Sequence, residues 1–179
     1  PIHHGHLILA RDALEQLPLD RVLFVPAGIS PHKLHRRPSS VDLRIEMTAA
    51  AIAGEPAFAL DETEARRPGP SFTIDTIEEL QARWPQAQLF YLLGEDHISK
   101  LETWHRIDDL RRLVHLVVFG RGDRPGTHPY PRLLRRIDLS ATEIRERVAR
   151  GASIRYLVPE GVRTIIERQQ LYQESPHHF

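Results

Sequence analysis

The sequence predicts an α/β fold, a mostly parallel sheet with helices on both faces, and three observations lead there. Short apolar runs of buried-strand type alternate with segments whose apolar residues recur at helical spacing. Turn formers punctuate that alternation, with Pro18, Gly54 and Gly151 standing where helices should stop. Most of the polar residues able to do chemistry follow strands, and in such sheets ligands bind beyond the C-terminal strand ends.

Residues 6–17 read as a helix with Leu7, Ala10, Leu14 and Leu17 on one stripe. Val22-Leu23-Phe24-Val25 is a buried strand, followed by a loop rich in turn formers that runs to Lys33. Ser39 or Ser40 caps a helix through about Ala53, and Phe58-Ala59-Leu60 is a strand. Residues 65–71 are loop, and Thr73 to about Arg83 is a helix with Ile74, Ile77 and Leu80 inward. Leu89–Leu93 is the clearest strand. Two short helices fit residues 97–103 and 106–113, and Val114–Phe119 is a further strand. After a Gly/Pro/Arg-rich loop over 120–132, Ile137-Asp138-Leu139 is expected as a last short strand. Ser140 opens a helix that Gly151 closes, and Pro159 starts a terminal helix with Val162, Ile165 and Ile166 inward.

The 179 residues suit one domain: an α/β core over 1–136, a helical C-terminal part over 137–173 and a tail over 174–179. Lys plus Arg equals Asp plus Glu at 24 each, so no global field draws the chain to nucleic acid or to a membrane surface. There are no cysteines, which excludes disulfides, thiolate catalysis and zinc–thiolate sites and fits a cytoplasmic location. No apolar run reaches the ~18 residues of a membrane-spanning helix.

Five groups of residues could carry chemistry. His3 and His6 bracket Gly5 just where a helix begins. That is the layout of an anion site at a helix N-terminus, and equally that of a solvated His-rich tail. Ser140, Thr142 and Arg145 sit at another helix start. Ser140 with Glu143 makes a capping box, while the hydroxyls and the guanidinium could together grip a polyphosphate. His32 and Lys33 lie in the loop after a strand, either solvated or facing an anion. Asp96 follows a strand and Gly94, as a cap or as an acceptor for a ribose hydroxyl, a water or a metal. Trp104, set among Glu102, His105 and Arg106, reads as a rim position rather than as core. The Arg66/Arg67 pair is most simply a solvated turn. Placed on the expected sheet, Ser30–Lys33, Asp96 and, given flanking strands, His3/His6 and Ser140–Arg145 would converge on one edge.

Taken together, the segments Pro1-Ile2-His3-His4-Gly5-His6-Leu7, Ser30-Pro31-His32-Lys33, Pro70-Ser71-Phe72-Thr73-Ile74-Asp75-Thr76, Leu92-Leu93-Gly94-Glu95-Asp96, Thr103-Trp104, Ser140-Ala141-Thr142-Glu143-Ile144-Arg145 and Tyr156-Leu157-Val158-Pro159 resemble the bacterial nicotinate mononucleotide adenylyltransferases of the nucleotidyltransferase superfamily. The H-x-G-H and S-x-T-x-I-R pieces are common to the superfamily; the Ser71–Thr76 stretch and Trp104 are similar to this member. The resemblance implies a Rossmann-like, doubly wound sheet. It also implies adenylyl transfer from ATP to nicotinate mononucleotide, a late step of NAD biosynthesis, with Mg²⁺ carried by the phosphates and no protein-held metal.

The roles it implies are catalysis by His3 and His6, and ATP-phosphate binding by Gly5, Lys33, Ser140, Thr142 and Arg145. Thr73, Trp104, the backbone at His105, and Asp96 would form the mononucleotide site. A homodimer, and the choice between acid and amide mononucleotide, are left open. So are a phosphopantetheine acceptor and a non-catalytic nucleotide-binding relative. The family pattern carries a Gly-Gly-Thr-Phe-Asp run on a central first strand just before Pro1, so 1–179 is expected to belong to a longer chain. Ser30 stands where a proline is usual, His97 where a small polar residue is usual, and His105 where tyrosine is common.

Overall fold

A computed structural model of the chain describes residues 1–28, 39–120 and 128–173. In chain order the elements are α1 (His4–Gln16), β1 (Val22–Phe24), α2 (Val41–Ile52), β2 (Phe58–Leu60), α3 (Thr63–Arg66), α4 (Thr73–Arg83), β3 (Phe90–Gly94), a 3₁₀ run (Glu95–Thr103), α5 (Ile107–Leu113), β4 (His115–Gly120), β5 (Arg132–Leu134), α6 (Ala141–Ala149) and α7 (Glu160–Arg168). They fall into two units. One contains Pro1–Pro26, Arg37–Glu62 and Asp138–Phe179; the other contains Ala27–Arg36 and Thr63–Ile137.

In the first unit β1 and β2 pair in parallel, Val22 opposite Phe58 and Phe24 opposite Leu60. Parallel strands need a crossover, and α2 lies in it. Ser40 Oγ caps α2 by accepting from the Leu43 N–H at 3.3 Å. The core joins Met47 of α2, Ile144 of α6, Ile154 and Val158 of the connecting segment, and Val162, Ile165 and Ile166 of α7. Gly161 eases the close packing of α7 on α2, since a Cβ there would stand 3.1 Å from the Cβ of Ala50. Seven buried aliphatic side chains at roughly 1.5–3 kcal/mol each make this cluster the main apolar contribution of the unit.

In the second unit β3, β4 and β5 form a parallel ladder in that order, Leu92 opposite Val117 and Val118 opposite Arg132. Leu93, Leu116, Val117, Val118 and Leu133 are buried along it. On α4, Ile74, Ile77 and Leu80 are buried, as their spacing predicts, and α4 packs against α5.

The α/β reading with parallel strands and flanking helices holds. Several details differ. Among the described residues the strands form two separate ladders, one per unit. Residues 137–139 are not a strand. Leu139 packs on the cluster around Ile144 instead, and the ladder partner of β4 is Arg132–Leu134. The stretch expected as loop over 65–71 begins inside the one-turn helix α3. On α1 the buried residues are Gly5, Ala10, Asp12 and Ala13, while Leu7, Leu14 and Leu17 are half-buried. Three of those four are small, which suits a face in close contact.

Candidate active site

The expected site residues divide between the two units. His3, Gly5, His6, Ser140, Thr142 and Arg145 belong to the first; Thr73, Asp96, Trp104 and His105 belong to the second. Lys33, with Ser30 and His32, lies outside the described residues.

In the first unit His3 is the N-cap of α1, extended at φ −148° and ψ 169°. The chain start is not a free tail. The His4 N–H donates to the Leu157 carbonyl at 3.1 Å, and Ile2 packs on the same apolar cluster that buries Ile144 of α6. Both helix starts are therefore seated on one core. His3 is buried, and its ring lies 3.9 Å from that of His6, tilted by 39°. The His3 N–H donates to His6 Nδ1 at 3.3 Å. In neutral His6 that bond places the proton on Nε2, which makes Nε2 a donor. Burial is the largest cause lowering the His6 pKa from 6.5 to about 4. By surface area the residue is nonetheless exposed to solvent. Its ring is thus neutral near pH 7, an uncharged N–H donor in the first turn of a helix.

At α6, Ser140 is the N-cap, and its Oγ accepts from the Glu143 N–H at 3.1 Å. The capping reading of Ser140 therefore holds. Arg145 reaches back one turn and donates from Nη2 to Thr142 Oγ1 at 2.9 Å. Thr142 is exposed and Arg145 half-buried, so a hydroxyl and a guanidinium stand together at the solvent side of a helix start. A helix N-terminus with charge-assisted donors suits phosphate oxygens.

In the second unit Thr73 is the first residue of α4. Its hydroxyl is hydrogen-bonded with the phenol of Tyr91 on β3, whose pKa burial raises. The Tyr91 ring meets Trp104 edge-on, 5.8 Å between centroids, and His97 approaches Trp104 at 6.2 Å. Trp104 is half-buried, the rim position its neighbours predict. His105 is exposed, its ring 4.6 Å from that of Phe72 just before α4. Asp96 is exposed in the first turn of the 3₁₀ run, 3.8 Å from His97 Nε2.

Three participants escaped the sequence reading. Tyr91 links Thr73 and Trp104; the signal available was one polar tip inside an otherwise apolar strand. Arg106 adopts a left-handed conformation, φ 51° and ψ 44°, directly after Trp104-His105. It is held there by Glu78 of α4, through contacts of 2.7 and 3.1 Å, and by Asp109 at 2.6 Å. A non-glycine residue in that region persists when its surroundings over-determine it. Arg67 is not a solvated turn residue. Its side chain is 16% exposed, donating to Glu79 and to Thr76 Oγ1, each at 3.2 Å. Among the described residues no group of three or more His, Cys, Asp or Glu side chains could hold a metal ion.

Comparison with known proteins places this geometry in context. The cytidylyltransferase-like family model matches residues 1–147. A curated relative from Geobacillus thermodenitrificans, named "Probable nicotinate-nucleotide adenylyltransferase", is 42% identical over 178 residues, covering 96% of this chain and 81% of its own. A relative of the same name from Exiguobacterium sibiricum is 43% identical over 180 residues, covering 96% and 93%. The solved nicotinic acid mononucleotide adenylyltransferase of Plasmodium falciparum, complexed with NaAD, superposes with a TM-score of 0.75. It is 16% identical, over 96% of this chain and 92% of that one, which shows a shared fold.

Proposed function

The chain belongs to the cytidylyltransferase-like family and, within it, to the nicotinate-nucleotide adenylyltransferases; we propose that it joins nicotinate mononucleotide to the adenylyl group of ATP, releasing nicotinate adenine dinucleotide and pyrophosphate. An oxygen of the acceptor's 5′-phosphate forms a bond to the α-phosphorus. The bond from that phosphorus to the bridging oxygen breaks, and pyrophosphate departs with its electron pair. A phosphate monoester is already nucleophilic, so neither a strong base nor a covalent enzyme intermediate is required. Catalysis is positioning plus stabilisation of charge on the α-phosphate and the leaving group.

The observation that carries this reading is the His3–His6 arrangement. With Nδ1 engaged by the His3 N–H, neutral His6 offers Nε2–H to a phosphate oxygen beside the N–H groups of α1. Ser140, Thr142 and Arg145 supply a second donor set for the nucleotide phosphates. Mg²⁺ enters as part of the ATP substrate: the donors here are N–H, hydroxyl and guanidinium groups, which fit phosphate oxygens and not a hard cation. When bound, it neutralises charge on the departing pyrophosphate. On the acceptor side Trp104 stacks the pyridine ring, and Thr73 with the backbone at His105 receives its carboxylate. Asp96 serves the nucleotide ribose. The place of action is the cytoplasm, and the substrates are two small nucleotides.

Isotope tracing tests the chemistry. With ¹⁸O in the phosphate of nicotinate mononucleotide, the dinucleotide should retain the label in its bridge and the pyrophosphate should carry none. Label-free dinucleotide, or pyrophosphate released from ATP without dinucleotide, would overturn the reading.

A further inference from the structure

Behind the proposed acceptor pocket lies a carboxylate that the mechanism above does not use. Glu64 belongs to the one-turn helix α3, and its Oε1 accepts from Thr76 Oγ1 of α4 at 3.0 Å. The same carboxylate receives the Gly28 N–H and is stabilised by Ser71 and Arg67, against a burial that raises its pKa. Arg67 closes the arrangement by donating to Thr76 Oγ1 at 3.2 Å. The packing is tight on the Gly28 side. A Cβ on that glycine would stand 2.6 Å from Ser71 Oγ and nearer still to the Glu64 carbonyl. Only glycine lets the backbone approach this closely.

Thr76 lies one turn after Thr73 on α4, and Thr73 is bonded to Tyr91, which in turn meets Trp104. We propose that Glu64 is a positioning residue for the acceptor mononucleotide: by tying the first turn of α4 to Gly28 and α3, it fixes where Thr73, Tyr91 and Trp104 stand. Glu64 touches none of the proposed ligand contacts directly; it acts through its hydrogen bond with Thr76 and through its charge near Tyr91. A polar network of this kind holds side chains to one arrangement. A small displacement of a positioning group can cost a large factor in binding or rate. The inference rests on nicotinate mononucleotide being the acceptor.

The experiment measures KM for nicotinate mononucleotide and for ATP, with Tm, in the full chain and in Glu64→Ala, Glu64→Gln and Thr76→Val. Glu64→Ala is expected to raise the mononucleotide KM roughly tenfold or more, with the ATP KM held within about twofold. Glu64→Gln should recover most of that loss, because its amide oxygen still accepts from Thr76. Thr76→Val should reproduce the split, and the Glu64→Ala/Thr76→Val double variant should be no worse than Glu64→Ala alone. Equal rises in both KM values overturn the proposal, as does a lower Tm with neither KM moved. Should Glu64→Ala fail to fold, an unchanged mononucleotide KM in Thr76→Val overturns it equally. The unmodified chain separates the two levels: if it turns over a different mononucleotide, the function above fails, and the KM comparison is run with that acceptor.

Discussion

The two groups of site residues are built differently. The group proposed to face the phosphates sits at the first turns of α1 and α6, where local sequence does nearly everything. His3, Gly5 and His6 lie within four residues and Ser140, Thr142 and Arg145 within six, and the His3–His6, Ser140–Glu143 and Thr142–Arg145 hydrogen bonds each close within one helix start. The group proposed to face the acceptor is assembled from distant segments: Thr73 from α4, Tyr91 from β3, Trp104 after the 3₁₀ run, with Arg106 bound to Glu78 across 28 residues of sequence. A site made of helix starts is generic to polyphosphates. A site made of tertiary contacts can discriminate one acceptor from another.

The sharpest way to break that contrast is to remove the central imidazole. His6→Ala should lower kcat by roughly 10²–10³-fold with little change in either KM, because the lost donor acts on charge that develops in the transition state. Full kcat in that variant would take His6 out of the mechanism. Next in size, Trp104→Ala should raise the mononucleotide KM by about ten- to a hundredfold, the usual range for a lost ring–aromatic stack, and leave the ATP KM nearly unchanged. Equal losses for both substrates would mean that the acceptor group is not a separate device.

A smaller effect concerns acid. Because the folded-state pKa of His6 lies below its ordinary value of 6.5, at about 4, the unfolded chain takes up a proton that the folded chain refuses. This group's contribution to stability is full above the ordinary value and falls as pH drops towards 4. Tm measured across that window should therefore fall less steeply in His6→Asn than in the unmodified chain; parallel slopes would contradict the assignment. The smallest effect is expected at the cap of α6. Ser140→Ala should cost about 1 kcal/mol of stability, and it should weaken ATP more than the mononucleotide. The reverse order would move Ser140 to the acceptor group.

The same contrast explains what could be read from the sequence. The helix starts at His3–His6 and Ser140–Arg145 were legible because a cap, its helix and its ligand donors are neighbours in the chain. So were α4, from the spacing of Ile74, Ile77 and Leu80, and β2, a short apolar run. The roles of Tyr91, Arg106 and Arg67 were not legible, since each depends on a partner brought close only by folding. The strand β5 was hidden for a related reason. Arg132 opens it from a Gly/Pro/Arg-rich stretch, and its side chain is placed by Glu95 at 3.0 Å rather than by any alternation of apolar residues. Asp12 of α1 is buried although the stripe of Leu7, Ala10, Leu14 and Leu17 puts it on the opposite face.

The claim at the centre is that one chain combines a generic polyphosphate grip with a pocket specific for a pyridine mononucleotide. It is tested most directly by pyrophosphate release from ATP with nicotinate mononucleotide, nicotinamide mononucleotide, FMN and phosphopantetheine offered one at a time. The expected result is rapid release with nicotinate mononucleotide and little or none with FMN or phosphopantetheine. Faster release with either of those two, or no release with any acceptor by a chain that still binds ATP, would contradict it.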